Sequence, residues 1–180
     1  MNKLAGRTKE SLDALIEFCD YLNQFIDCSK ETIVEIGTWI GDSAFLFSEY
    51  FFKVITIDPF STQIGGWPSY KDMDLAYNIF NERLEKYKKN NVTLYRQLSK
   101  EAVKSFPNQS ISVIYIDGEH SYQAVKNDIE MFMPKMIKGG FVTGHDYCRK
   151  FQGVVDAVNE KFGLPDKVFR DNSWIKRIGV

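Results

Sequence analysis

Residues 32–58 read TIVEIGTWIGDSAFLFSEYFFKVITID, which predicts a strand, a helix and a second strand in that order. The two strands are the short β-branched runs Thr32–Ile36 and Lys53–Ile57, and each is followed by turn-forming residues. The segment between them, 42–52, is long enough for a helix of about three turns. A helix that joins two short buried strands is typical of a parallel sheet.

The same alternation continues on both sides of this unit. Upstream, apolar residues recur at three- and four-residue steps from Leu12 to Ile26 and predict an amphipathic helix. The patterns together predict an α/β fold, a three-layer Rossmann-like doubly wound sheet that is mostly parallel and carries a C-terminal antiparallel hairpin strand. Downstream, strands are predicted at 92–95, 111–116 and 141–143, and the hairpin at 167–178.

Composition and charge narrow the class of protein. We expect a single domain over residues 1–180, with residues 1–30 as an N-terminal helical extension packed on it. The 23 basic and 24 acidic side chains give a net charge of -1, which argues against nucleic acid as the main partner. Three cysteines without a C-x-x-C spacing argue against disulfides and structural zinc. Because neither a signal peptide nor a membrane-length apolar run is found, we expect a cytoplasmic protein without a membrane partner.

The loops that follow the predicted strands are where a parallel sheet binds its ligands. Gly37 and Gly41 follow the first strand with a Gly-x-x-x-Gly spacing, which lacks the third glycine of the pyrophosphate fingerprint. Asp58 follows the second strand roughly 20 residues after Gly37, where an acidic side chain holds ribose hydroxyls in nucleotide-binding folds. These features favour a nucleoside without phosphates over simple turn geometry.

Motifs from the first predicted strand to 147 resemble those of class I S-adenosylmethionine-dependent methyltransferases. More narrowly, they are similar to the small O-methyltransferase group that includes macrolide-sugar O-methyltransferases and cephalosporin-hydroxylase-like proteins. The motifs are Glu35-x-Gly37-x-x-x-Gly41-x-Ser43, Ile57-Asp58-Pro59, Asp117-Gly118-Glu119-His120-Ser121-Tyr122 with Asp128 downstream, Gly139-Gly140, and His145-Asp146-Tyr147.

The resemblance implies a cofactor site for S-adenosylmethionine. Gly37 and Gly41 would line the methionine part, and Glu35 would support the loop or meet the amino group through water. Asp58 would hold the ribose, and Asp117 would lie under the reacting methyl group. Ser99, in the loop after the third strand, would lie along the adenine or act only as a helix cap. The full set implied for the cofactor is Glu35, Gly37, Thr38, Trp39, Gly41, Ser43, Asp58, Gln97, Ser99 and Asp117.

The resemblance also implies the catalytic groups. His120 stands where related enzymes carry a base for the acceptor hydroxyl, so Asp117 and His120 are the catalytic candidates, against a structural role for His120. Asp117, His145 and Asp146 would hold a divalent cation, magnesium or manganese. The histidine departs from the all-oxygen pattern of catechol-type members, which also allows iron, zinc or no metal.

The function implied is O-methylation of a small hydroxylated acceptor such as a sugar or natural product. The alternatives are an NAD-dependent oxidoreductase and a noncatalytic cofactor-binding module of the same fold. We expect a homo-oligomer, in which the first helix or the loop 60–71 reaches a neighbouring site. That loop is either a lid or a surface insertion, and Trp39, Trp67 and Tyr70 either cover a bound ring or pack ordinarily.

Overall fold

The computed structural model describes residues 4–61 and 72–179, and its described strands form one sheet. The strands are β1 (Thr32–Ile36), β2 (Lys53–Ile57), β3 (Val92–Tyr95), β4 (Ile111–Ile116), β5 (Met136–Gly144), β6 (Lys167–Val168) and β7 (Trp174–Arg177). Their order is β3-β2-β1-β4-β5-β7-β6. Strands β1 to β5 pair in parallel, whereas β7 is antiparallel to β5 and β6. The predicted fold class, including the terminal hairpin, is confirmed.

Helices cover both faces of the sheet, because side chains alternate between the faces along each strand. The helices are α1 (Lys9–Leu22), α2 (Asp42–Tyr50), α3 (Met73–Tyr87), α4 (Ser99–Ala102), α5 (Tyr122–Phe132) and α6 (Gln152–Phe162). One core joins Ile33 and Val113 to helices α1, α2 and α3, and the other joins Val34 and Ile114 to α4, α5 and α6.

Several element boundaries differ from the sequence prediction, most clearly the starts of α1 and β5. Helix α1 begins at Lys9, where the Thr8 hydroxyl caps the backbone N–H of Ser11 at 3.2 Å. Strand β5 begins at Met136, ahead of the predicted glycine break, because Gly139 takes a φ of 81° and the pairing register with β4 shifts there. Apolar spacing locates the buried part of an element and leaves its ends open.

The order of strands reverses between β1 and β4, which opens a crevice at their carboxyl ends. Trp67, Tyr70 and most of the predicted lid 60–71 lie outside the described residues. Over the ranges described, the helices are all too short or too polar to cross a bilayer.

Candidate functional site

A cavity of about 970 Å³ occupies the crevice at the carboxyl ends of the strands. Its volume falls in the range of small-molecule sites. The predicted residues that line it are Gly37, Thr38, Trp39, Ser43, Asp58, Ser99, Asp117, His120 and His145. Glu35, Gly41, Gln97 and Asp146 are not among its lining residues.

The loop after β1 depends on its two glycines. Gly37 has a φ of 93°, and a Cβ there would collide with the backbone carbonyl of Asp117. Gly41 has a φ of 85°, and a Cβ there would lie 2.7 Å from the rings of Phe45 and Phe80. Side chains at these positions are excluded by both conformation and space. The glycines therefore hold the loop tightly against β4 and α2.

Asp58 fixes this loop from the end of β2. Its Oδ2 accepts the backbone N–H groups of Thr38 at 2.9 Å and Trp39 at 3.2 Å. Its Oδ1 accepts the N–H of Phe60 at 2.8 Å. The side chain is buried, and burial raises its pKa. Because a carboxylate oxygen accepts two hydrogen bonds, Oδ1 keeps capacity for a ligand hydroxyl.

Glu35 lies beneath the loop and is fully buried. Its carboxylate accepts hydrogen bonds from the hydroxyls of Ser43 at 2.5 Å and Thr56 at 2.6 Å. Burial raises the pKa of Glu35 to about 7, although the two hydroxyls oppose the shift. This geometry matches the loop-supporting alternative for Glu35.

A cluster of ionisable side chains follows β4 and β5. The His120 Nε2 lies 2.9 Å from the Asp146 Oδ2 and 3.6 Å from the Asp117 Oδ1. The imidazole ring packs on Phe151 with 4.7 Å between ring centroids. Asp146 has a φ of 60°, an uncommon conformation that turns its carboxylate between His120 and His145.

The electrostatics of the cluster favour charged histidines. Burial opposes protonation of His120, but hydrogen bonds with Asp117 and Asp146 outweigh it and raise its pKa to about 9. Burial likewise opposes protonation of His145, and its contacts with Asp146 and Asp171 raise its pKa to about 10. The two imidazoles overcome the effect of burial on Asp146 and hold its pKa below the usual range.

Both histidines lie near the carboxylates predicted as metal ligands. Ligand atoms of Asp117, His120 and Asp146 lie within 4.8 Å of one another. The His145 Nδ1 lies 3.8 Å from the Asp117 Oδ1. The His145 Nδ1 lies 3.2 Å from Asp146, but its Nε2 faces Asp171 at 3.6 Å. The imidazole of His145 is thus shared with the C-terminal hairpin.

Arg7 enters the cluster from a five-residue arm, 4–8, that sequence reasoning missed. Its guanidinium donates to Asp117 and lies 3.8 Å from the Asp171 Oδ2. Its backbone N–H donates to Asp42 at 2.6 Å, and the Trp39 indole donates to the carbonyl of Ala5 at 3.1 Å. No motif surrounds Arg7 in the sequence, and Asp171 reads only as a turn residue.

Another part of the cavity wall comes from α4 and α5. The Ser99 hydroxyl donates to the Asp128 Oδ1 at 2.6 Å, and Asp128 is buried. Leu98, Ala124 and Met131 contribute apolar surface beside them.

The sequence from 34 to 147 matches a family model described as a methyltransferase domain. The chain is also similar to an uncharacterized protein of Acanthamoeba polyphaga mimivirus, with 31% identity over 133 residues. That match covers 72% of this chain and 58% of the viral protein. The chain therefore spans little more than half the length of this curated relative.

Solved structures with the same fold include three of similar size. A TDP-rhamnose 3'-O-methyltransferase of calicheamicin biosynthesis has a TM-score of 0.64 at 21% identity, over 97% of this chain and 82% of that one. A putative caffeoyl-CoA O-methyltransferase from Staphylococcus aureus has a TM-score of 0.66 at 19% identity, over 98% and 86%. A putative methyltransferase from Streptococcus mutans, in complex with SAH, has a TM-score of 0.64 at 14% identity, over 97% and 100%.

Proposed function

This chain belongs to the methyltransferase domain family, and on that premise we propose that it transfers a methyl group from S-adenosylmethionine to a hydroxyl oxygen of a small acceptor. The observation that carries the proposal is a single cavity lined by the glycine loop, by Asp58, and by Asp117 with His120. Such a cavity offers one place for a nucleoside and another for acid–base chemistry. Family membership favours methyl transfer over the NAD-dependent alternative.

The chemistry of the lining supports S-adenosylmethionine as the donor. Acidic side chains suit a ligand that carries a sulfonium, an amino group and hydroxyls but no phosphate. Bound there, the donor supplies a methyl group on a positively charged sulfur. We assign the ribose to Asp58 and the reacting end to Asp117. The acidic lining residues are Asp42, Asp58, Asp117, Glu119, Asp128 and Glu130, against Arg7 and Lys100.

The acceptor is assigned to the end of the cavity that holds His120 and His145. Methyl transfer depends mainly on holding the acceptor oxygen in line with the breaking bond, in a site that excludes water. His120 is the group we assign to take the hydroxyl proton in its neutral form. Because its pKa is about 9, we expect turnover to rise with pH as the neutral imidazole becomes more abundant. A sugar hydroxyl is the acceptor class we propose, in keeping with the activity in the name of the calicheamicin neighbour.

A divalent cation fits the same end of the cavity. Asp117, His120 and Asp146 would hold it, and their mixed oxygen and nitrogen donors suit manganese better than magnesium. An ion there would act as a Lewis acid on the acceptor hydroxyl. A metal-bound imidazole must be neutral, and its coordinated nitrogen cannot take a proton. With an ion bound, activation of the acceptor hydroxyl would therefore fall to the ion and not to His120.

Calorimetric titration of metal-stripped protein tests the donor and the ion. We expect micromolar binding of S-adenosylmethionine and S-adenosylhomocysteine, and a manganese-dependent heat that Asp146→Asn removes. Absence of binding by both nucleosides, with and without metal, would overturn the proposal.

Formation of S-adenosylhomocysteine with a panel of hydroxylated acceptors, including nucleotide sugars, tests turnover. We expect His120→Ala to reduce turnover at least 100-fold while cofactor affinity stays within about threefold. Asp156→Asn, an exposed acid on α6, is the matched control. Persistent turnover in His120→Ala would refute the base assignment, and no turnover on any acceptor would favour a noncatalytic module.

A further inference from the structure

The strand order places the parts of a bound nucleoside along the cavity. Ser99 follows β3, Asp58 follows β2, the glycine loop follows β1, and Asp117 follows β4. These strands are consecutive neighbours in the sheet. With the ribose at Asp58 and the reacting methyl at Asp117, the base lies on the β3 side, between α4 and α5.

Asp128 is the buried polar group on that side of the cavity. It is 6% exposed and lines the cavity, together with Ala124 and Met131 from the same face of α5. Ser99 donates to its Oδ1, which fixes the orientation of the carboxylate. Within 4–61 and 72–179, no hydrogen bond reaches its Oδ2.

We propose that Asp128 recognises the exocyclic amino group of the adenine base, and that Ser99 holds the carboxylate in position for it. This inference rests on the proposed function and extends it to the choice of base. An ionised carboxylate only accepts hydrogen bonds, so it matches the amino group of adenine and repels the carbonyl oxygen of hypoxanthine.

The environment of Asp128 supports this assignment. Burial raises the pKa of Asp128 to about 6, against the opposing effect of the Ser99 hydroxyl. The group is therefore ionised at pH 8 and would be stabilised there by a second donor from the ligand. Leu98, Ala124 and Met131 offer apolar contacts to the faces of a purine ring.

Calorimetric titration at pH 8 with S-adenosylhomocysteine and its deaminated analogue, S-inosylhomocysteine, tests the inference. We expect the analogue to bind the unmodified protein about 10- to 100-fold more weakly. Asp128→Ala should bind S-adenosylhomocysteine more weakly, by a similar factor, and should bind the two ligands with equal affinity. Asp128→Asn, which preserves shape and can present either an acceptor or a donor, should keep S-adenosylhomocysteine binding within about fivefold and lose the selectivity.

Gln123→Ala is the matched control, because Gln123 is exposed on the same helix and is not among the residues that line the cavity. Its base selectivity should equal that of the unmodified protein. Selectivity that persists in both Asp128 variants would overturn this inference and leave the proposed function standing. Failure of the unmodified protein to bind S-adenosylhomocysteine would overturn the proposed function as well.

Discussion

Asp58 shows how one side chain can organise a loop before any ligand binds. The residues whose N–H groups it accepts include Trp39 and Phe60, with φ values of 50° and 48°. Left-handed backbone is unfavourable for such bulky residues unless neighbouring contacts hold it. Asp58 therefore stabilises two strained turns and still faces the cavity.

Replacing this carboxylate by an amide should leave one hydrogen-bond acceptor where there were two. In Asp58→Asn one end no longer accepts, so at least one buried N–H loses its partner. We expect the free energy of unfolding to fall by about 1–3 kcal/mol, as measured by urea denaturation. Asp74→Asn, at an exposed position on α3, should change it by less than about 0.5 kcal/mol. Equal stability of the two variants would contradict the loop-organising role.

Glu35 should give stability a pH dependence. Its pKa is about 7 in the folded protein and about 4.3 in an unfolded chain. The folded state therefore binds the proton more tightly, and the stabilisation is complete below pH 4 and lost as the pH rises toward 7. Glu35→Gln lacks this titration. We expect its free energy of unfolding, relative to that of the unmodified protein, to rise by about 2–3 kcal/mol as the pH is raised from 5 to 8.

Urea denaturation across this pH range measures the difference. Glu82→Gln, an exposed acid on α3, should show a constant difference from the unmodified protein. A pH-independent difference for Glu35→Gln would mean that the carboxyl of Glu35 is ionised throughout.

At the scale of elements, the short arm 4–8 contributes both to the cavity wall and to the charge balance of the ionisable cluster. It forms part of the cavity wall and brings the Arg7 guanidinium, 14% exposed, to the carboxylates of Asp117 and Asp171. Removing one partner of a largely buried ion pair leaves the other charge uncompensated. Arg7 thus balances the charges of Asp117 and Asp171.

We expect Arg7→Ala to lower the free energy of unfolding by about 1–3 kcal/mol. Exposing the charge of Asp117 should also raise the affinity for cationic S-adenosylmethionine relative to neutral S-adenosylhomocysteine. The stability and the affinity ratio of Arg7→Lys should lie between those of the unmodified protein and Arg7→Ala. Lysine keeps the positive charge but lacks the forked guanidinium. Lys9→Ala, at an exposed position on α1, is the control. An unchanged affinity ratio in Arg7→Ala would show that Arg7 acts only in packing.

Elements differ in how far their sequence reveals them. The β-branched runs at β1, β2 and β4 and the helices between them are recognised because burial requires apolar residues at fixed spacing. The arm has no such periodicity, and its contacts join residues more than 30 positions apart. Its place in the wall therefore depends on tertiary packing and leaves no local pattern.

At the scale of the whole molecule, topology explains which site residues could be predicted. Gly37, Asp58, Asp117 and Asp146 each follow a strand, and parallel strands bring their carboxyl ends to one edge. The orientation of each side chain is set later, by contacts such as that of His145 with Asp171. The sequence therefore leaves open that the His120 imidazole also lies close to Asp117 and Asp146.

The contact between Arg7 and Asp171 joins segments near the two ends of the described chain, at the cluster of ionisable side chains that follows β4 and β5. The ribosome makes Arg7 before β1 to β5 and Asp171 after them. The parallel sheet can begin to assemble during translation, whereas the charge balance of this cluster requires the hairpin that follows β5. A product of premature termination before residue 171 would carry the glycine loop and Asp58 and lack a completed cluster.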